Sequence, residues 1–173
     1  MIAHKFLGSD CTGRFSGFAW PLPSGGAPGA WVEAVPSRCA SGVHACRVAD
    51  LPFWIDASLW RIELTGQVGT AERKLVAPRG RLVERIEAWD AVAMREFGSA
   101  CLARVSPLAD RSPELAPYVA DVRTFAETGK AGVAGFVAAR TAEMAGGVAG
   151  YDAEREAQAR WLADRLGLEY RDL

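Results

Sequence analysis

The sequence predicts an α+β protein, with a small twisted antiparallel or split β-sheet in its first half and packed α-helices in its second half. Before residue 88 the chain consists of short apolar runs separated by Gly and Pro, which is typical of strands joined by turns. After residue 88 the apolar residues recur at helical spacing in segments rich in Ala, Glu and Arg. We therefore predict a β-rich region over 1–88 and a helical region over 89–173 docked on it as one compact unit.

Six runs in the first half have the character of strands, and they cover residues 2–8, 15–20, 30–35, 42–48, 59–68 and 74–89. The clearest is 59–68, where apolar and polar residues alternate. Pro78 and Gly80 interrupt the last run, so a turn or bulge is expected there instead of one continuous strand. Asp50, with Pro52 after it, is placed to cap a short helix between two of the strands.

Four helical segments are predicted after residue 90. Asp90 is the expected N-cap of the first, 91–105. The second helix begins at Pro113 and ends at Gly129, and paired glycines predict the end of the third. The fourth, 151–168, carries the strongest stripe of apolar residues at helical spacing.

Composition restricts the class of partner. Twenty basic and 21 acidic residues give a net charge of −1, so no basic face for duplex nucleic acid is expected. No apolar run approaches the roughly 20 residues that span a bilayer, and the start of the chain lacks the apolar core of a signal peptide. We therefore expect free thiols at Cys11, Cys39, Cys46 and Cys101, a cytoplasmic location and no membrane contact. The oligomeric state stays open.

His44 is the strongest candidate for a functional side chain, because Cys46 follows it closely and Cys39 precedes it. These residue types could bind zinc, but the closely spaced cysteine pairs of structural zinc sites are missing, so no metal is predicted. A Cys–His nucleophile pair is a further alternative, although two positions along one strand are poor geometry for proton transfer. The glycine-rich segment 21–29 has no helix or Lys-Ser after it, so it predicts a surface loop rather than a phosphate cradle. The many tryptophans of the first half could also line a pocket for a planar or apolar ligand.

Several segments together resemble a bacterial family that is common in actinobacteria and has no established activity. Its mark is Cys-x-x-Gly, a hydrophobic residue and His-x-Cys, followed by a short helix, a strand and a Lys-Leu-Val-Ala strand. The corresponding residues here are Cys39, Gly42, Val43, His44 and Cys46, and then 74–77. The resemblance covers most of residues 4–86 and by itself implies no function.

A more distant similarity is to the ADP-ribosyltransferase-like fold. That fold is marked by a His on its first strand, a Gly-hydrophobic-Tyr strand before a helix, and a later strand with a catalytic Glu. Here His4 lies in the first strand and His44 takes the place of the tyrosine, as a His does in the related RNA 2′-phosphotransferases. Lys74 occupies the position of the glutamate, with Glu72 two residues before it. Because an ammonium cannot stabilise an oxocarbenium-like centre, the resemblance implies a retained nucleotide site with altered or lost transfer chemistry.

The preferred hypothesis is an ADP-ribosyltransferase-like enzyme or nucleotide-binding protein that takes NAD or another nucleotide. Two alternatives stay open: an enzyme that acts on an apolar small molecule in a Trp-lined pocket with His44 as acid or base, and a non-catalytic interaction module. Two sets of side chains are predicted at the site. The catalytic set is His4, His44, Glu72 and Lys74. The ligand-binding set is Trp20, Trp54, Trp60 and Arg79.

Overall fold

The computed structural model describes residues 1–35 and 41–170, and the chain divides into two compact units at residues 87 and 88. The first unit contains two small antiparallel sheets, and the second contains α-helices. The predicted α+β class is confirmed.

The strands of the first unit are β1 Ile2–Leu7, β2 Val32–Glu33, β3 Val43–Ala45, β4 Ser58–Thr65, β5 Gly69–Ala71, β6 Lys74–Ala77 and β7 Arg79–Arg85. A four-stranded sheet has the order β1-β4-β7-β2, and a three-stranded sheet has the order β3-β6-β5. Pro78 alone separates β6 from β7, which belong to different sheets. The interruption expected at Pro78 is therefore confirmed. Proline has no N–H to donate, so the hydrogen bonding of β6 to its sheet ends there and β7 begins pairing in the other sheet.

The two sheets share one cluster of buried side chains, which includes Leu7, Val43, Ile62, Leu75 and Leu82. The close approach of the sheets depends on Gly80, where a Cβ atom would lie 2.6 Å from Cγ1 of Val43.

The edges of the two sheets meet at a bridged pair, His4 on β1 and Cys46 just after β3. The His4 N–H donates to the Cys46 carbonyl at 3.0 Å, and the Cys46 N–H donates to the His4 carbonyl at 2.8 Å. In the middle of β3, the carbonyl of His44 accepts a hydrogen bond from the Lys5 ammonium at 2.8 Å. The sheet is thus split beside this bridge, and both histidines lie at the split.

Two local predictions in the first unit are wrong. Residues 15–20 form no strand: Gly17 has a positive φ of 61°, the chain turns, and Phe15 is 82% exposed. The short helix is a 3₁₀ helix, Val48–Phe53, that begins before Asp50. The Asp50 carboxylate does not cap it, because it pairs with Arg47 at 2.7 Å instead.

The helices of the second unit are α1 Ala91–Arg111, α2 Ala116–Glu127 and α3 Ala131–Leu166, with a 3₁₀ turn at Pro113–Leu115. Gly147 interrupts α3 with φ 65° and ψ −158°, so α3 consists of two helical segments, 131–146 and 148–166. The four predicted helical segments are therefore present. Asp90 caps α1 as expected, since its carboxylate accepts hydrogen bonds from the N–H groups of Val92 and Ala93. No helix within the described residues has the length and apolar character needed to cross a bilayer.

The first helix is longer than predicted. It continues through Pro107 to Arg111, where the sequence had suggested an end at residue 105. Pro107 is exposed, so its ring and the missing hydrogen bond lie on the outer face, and the buried Val105 keeps the inner face packed.

The two segments of α3 approach closely at Gly150, where a Cβ atom would lie 2.3 Å from the carbonyl oxygen of Ala142. We expect Gly150→Ala to destabilise the protein by about 1–3 kcal/mol, because backbone atoms must shift to admit the methyl group. Gly146→Ala is the matched control, since no atom lies within 4 Å of its added Cβ. It should be neutral or stabilise by up to about 1 kcal/mol through helix propensity. Urea unfolding that ranks the two variants equally would contradict the close approach.

Candidate functional site

A cavity of about 120 Å³ lies where β1 and β3 separate. Side chains from both strands, the loop after β1, the 3₁₀ helix and the start of β6 reach it. They include His4, Lys5, Arg14, Phe15, His44, Cys46, Trp54 and Lys74. Arg14 and Phe15 are exposed and mark the mouth of the cavity.

Both histidines line this cavity, and each has one ring nitrogen whose hydrogen-bonding capacity is unused. Nδ1 of His4 and Nε2 of His44 are buried, and neither makes a hydrogen bond within the described residues. Buried polar atoms are nearly always paired in folded proteins, so each orphan needs a reason. Because His4 and His44 line the same cavity, a bound ligand is the simplest explanation for both unpartnered nitrogens.

Both imidazoles are held in the neutral form. Burial, with the positive charge of Arg61 as a smaller cause, lowers the pKa of His4 from 6.5 to about 4. Burial also lowers the pKa of His44, helped by the charges of Lys74 and Lys5. A neutral imidazole can donate at one nitrogen and accept at the other, which suits hydroxyl groups and phosphate oxygens alike.

The charged side chains around the cavity are cations. Lys5, Arg14 and Lys74 line it, and no carboxylate lines it among the described residues. Lys74 lies near enough to His44 to depress its pKa, which places one positive charge beside the imidazole. The cavity therefore favours an anionic group.

The aromatic rings of Phe6, Phe15 and Trp54 complete the lining. Trp54 is fixed by its indole N–H, which donates to the Arg73 carbonyl at 2.7 Å. The ring of Phe15 meets it edge-on, with the centroids 6.2 Å apart. The fixed Trp54 and the exposed Phe15 offer apolar ring surface to a planar group at the mouth.

The thiol of Cys46 is an unsuitable nucleophile here. Burial raises its pKa to about 12, so it stays protonated, and its Sγ contacts the His4 carbonyl at 3.4 Å. Cys39, the other residue weighed for a Cys–His pair or a zinc site, lies outside the described residues. Within the described part of the chain, no group of three His, Cys, Asp or Glu side chains is placed to hold a metal ion.

Three of the sequence-predicted residues, His4, His44 and Lys74, line the cavity, and so does Trp54. The other four lie elsewhere in the first unit. Trp20 and Trp60 are in its core, Glu72 is exposed, and Arg79 pairs with Glu33 at 2.9 Å.

The sequence reasoning missed Lys5, Arg14 and Phe15. Lys5 carried a usable signal, because it stands between Ala3 and Leu7 on the apolar face of an alternating strand. Arg14 and Phe15 carried none, since their role depends on how the loop folds back over Trp54.

Comparisons of the chain with protein-family models, curated proteins and solved structures found no match.

The lowered pKa of His4 has a consequence for stability. Its folded value is about 4 against 6.5 for the ordinary group, so the unfolded chain binds the proton first. The stability that the folded protein gains from a neutral His4 is complete above about pH 6.5 and is lost as the pH falls toward 4. From about pH 7 to about pH 4.5 the free energy of unfolding falls in both proteins. We expect this fall to be smaller for His4→Asn than for the wild type, by on the order of 1–2 kcal/mol. Urea unfolding followed by tryptophan fluorescence measures this, and parallel losses would show that His4 titrates normally.

Proposed function

We propose that the chain binds an anionic nucleotide, NAD or a related adenine nucleotide, in the cavity beside β1 and β3. The observation that carries the proposal is the histidine pair: His4 and His44 line one cavity with Lys74 and Trp54, and each has a buried ring nitrogen without a hydrogen-bond partner among the described residues. In this role the imidazoles bind ribose hydroxyl or phosphate oxygen atoms, and the ammonium of Lys74 offsets phosphate charge.

The size of the cavity limits how the ligand lies. Drug-sized ligands occupy about 300–1,000 Å³, whereas this cavity measures about 120 Å³. One end of the nucleotide, a ring or a phosphate group, therefore enters between the strands. The remainder crosses the mouth, where Arg14 and the ring of Phe15 meet it.

The chemistry of the lining favours binding over ADP-ribosyl transfer. Transfer by the ADP-ribosyltransferase-like route needs a carboxylate at the reacting ribose, and Lys74 stands at that position of the resemblance. Glu72 is exposed and lies outside the lining. The protein we propose is thus a nucleotide-binding protein, acting in the cytoplasm, as its free Cys11, Cys46 and Cys101 suit.

A second function, acid–base catalysis on a small molecule, is favoured by one observation. His44 has a buried Nε2 that makes no hydrogen bond within the described residues and a lowered pKa, so it is present as a free base at neutral pH. Turnover of a bound nucleotide or another small ligand would establish this role in addition to binding.

The proposal is tested by calorimetric titration of NAD and ADP-ribose into the wild type and two variants. Lys74→Met should weaken binding about 10-fold or more, since a hydrogen bond to a charged group contributes about 1.5–3 kcal/mol. Arg79→Met is the matched control, because it removes the same charge from a side chain that pairs with Glu33 outside the cavity. We expect its affinity to stay unchanged. No binding by the wild type, or equal losses in the two variants, would overturn the proposal.

A further inference from the structure

Lys5 is a partly buried lysine that forms no ion pair with a carboxylate among the described residues. It lies on β1 opposite Trp60 of β4, on the strand face that also carries Ala3 and Leu7 of the core. Its ammonium donates to the His44 carbonyl at 2.8 Å and lies 4.8 Å from the ring centre of Trp20. Among the described residues no carboxylate forms an ion pair with it, so a carbonyl oxygen and a ring face are its recorded partners.

This environment makes the amine reactive. Burial lowers the pKa of Lys5 from 10.5 to about 8. The neighbouring His44 imidazole is neutral and adds no negative charge. Near pH 8 a large fraction of Lys5 is therefore the free amine, the form that attacks carbonyl carbon.

We propose that Lys5 forms a Schiff base with a phosphorylated aldehyde or ketone that enters the cavity between β1 and β3. Lys5 lines that cavity together with Lys74 and Arg14, which would hold the phosphate group. This inference goes beyond the proposed function, because it requires a carbonyl group and does not require NAD to bind.

The reaction is a condensation without any change of oxidation state. The Nζ lone pair attacks the carbonyl carbon and forms a C–N bond, while the carbonyl oxygen takes up a proton. The nitrogen then loses its two protons to solvent or to a neutral imidazole, the hydroxyl oxygen takes up a second proton, the C–O bond breaks, and water leaves. The product is a C=N bond between Lys5 and the ligand. His4 and His44, both neutral and on the same cavity lining, are placed to accept and return these protons.

The chain offers an internal comparison, since its lysines are Lys5, Lys74 and Lys130. The probe is pyridoxal 5′-phosphate, an aromatic aldehyde with a phosphate group, added to the wild-type protein near pH 8. Borohydride reduces the imine to a stable amine, and peptide mass mapping then locates the label. We expect Lys5 to be labelled at least about tenfold faster than Lys130, because an ordinary lysine is almost fully protonated at this pH.

Two controls complete the test without altering a residue that the fold needs. The preference for Lys5 should disappear in urea, where all three lysines are solvated. Pyridoxal, which lacks the phosphate group, should label Lys5 about tenfold more slowly than the phosphorylated probe. Preferential labelling of Lys74 or Lys130 would overturn the inference, as would a preference for Lys5 that persists in urea. Equal labelling rates with pyridoxal and pyridoxal 5′-phosphate would overturn the claim that the ligand carries a phosphate group. The titration of NAD is read separately, so either proposal can fail while the other holds.

Discussion

Replacement of Glu154 by Ala is expected to destabilise the helical unit by about 3–5 kcal/mol. Glu154 is 6% exposed, and its two carboxylate oxygens accept hydrogen bonds from the Arg104 guanidinium at 2.8 and 2.9 Å. One of them also accepts from Gln158, whose amide nitrogen donates to the Gly135 carbonyl. The truncation leaves the partly buried Arg104 and the fully buried Gln158 with unmet hydrogen bonds, which costs more than the ion pair contributes.

Glu156→Ala is the control for this prediction. Glu156 forms an ion pair of the same type with Arg160, at 2.7 Å, but both side chains are about half exposed. Water and side-chain entropy limit such a pair to about 0–1 kcal/mol. Urea unfolding followed by far-ultraviolet circular dichroism compares the two variants. If Glu154→Ala lost no more stability than Glu156→Ala, the buried network would have no structural importance.

Replacement of His44 by Ala is expected to lower the affinity for NAD by about tenfold to a hundredfold, with little change in melting temperature. The affinity falls because a ring nitrogen that binds a phosphate or ribose oxygen is removed. Stability changes little because the side chain is only partly buried and its Nε2 makes no hydrogen bond within the described residues.

Calorimetry and thermal unfolding together distinguish this outcome from a packing role. Glu72→Ala should leave both quantities unchanged, since Glu72 is exposed and does not line the cavity. A His44→Ala variant that melts at a much lower temperature but binds NAD with the affinity of the wild type would identify His44 as a packing residue.

The residues of the cavity that could be predicted are those fixed by strand periodicity. The short run at 2–8 and the alternation of Val43 and Ala45 with His44 indicated that His4 and His44 lie on strands. The split between β1 and β3 could not be predicted. It depends on the bridged pair at His4 and Cys46, and pairing between strands about 40 residues apart leaves no local pattern.

The charged interior of the helical unit escaped prediction for a different reason. Glu154 and Arg155 lie in a run of charged residues, which normally predicts a solvated face. Both are 6% exposed, and the partner that compensates Glu154 is Arg104, 50 residues earlier in the chain. The paired glycines before this segment were informative, because the left-handed φ of Gly147 is a local requirement that an L side chain rarely meets.

The central claim is that His4 and His44 bind one ligand together, and nuclear magnetic resonance of the imidazole rings tests it most directly. They are the two histidines of the sequence, so His4→Asn and His44→Ala assign both ring signals. On titration with NAD, we predict that both rings shift with one shared dissociation constant. We also predict that the pKa of each rises, because a phosphate anion favours the protonated form. Signals that stay unchanged at saturating NAD, or a shift confined to one ring, would contradict a shared site.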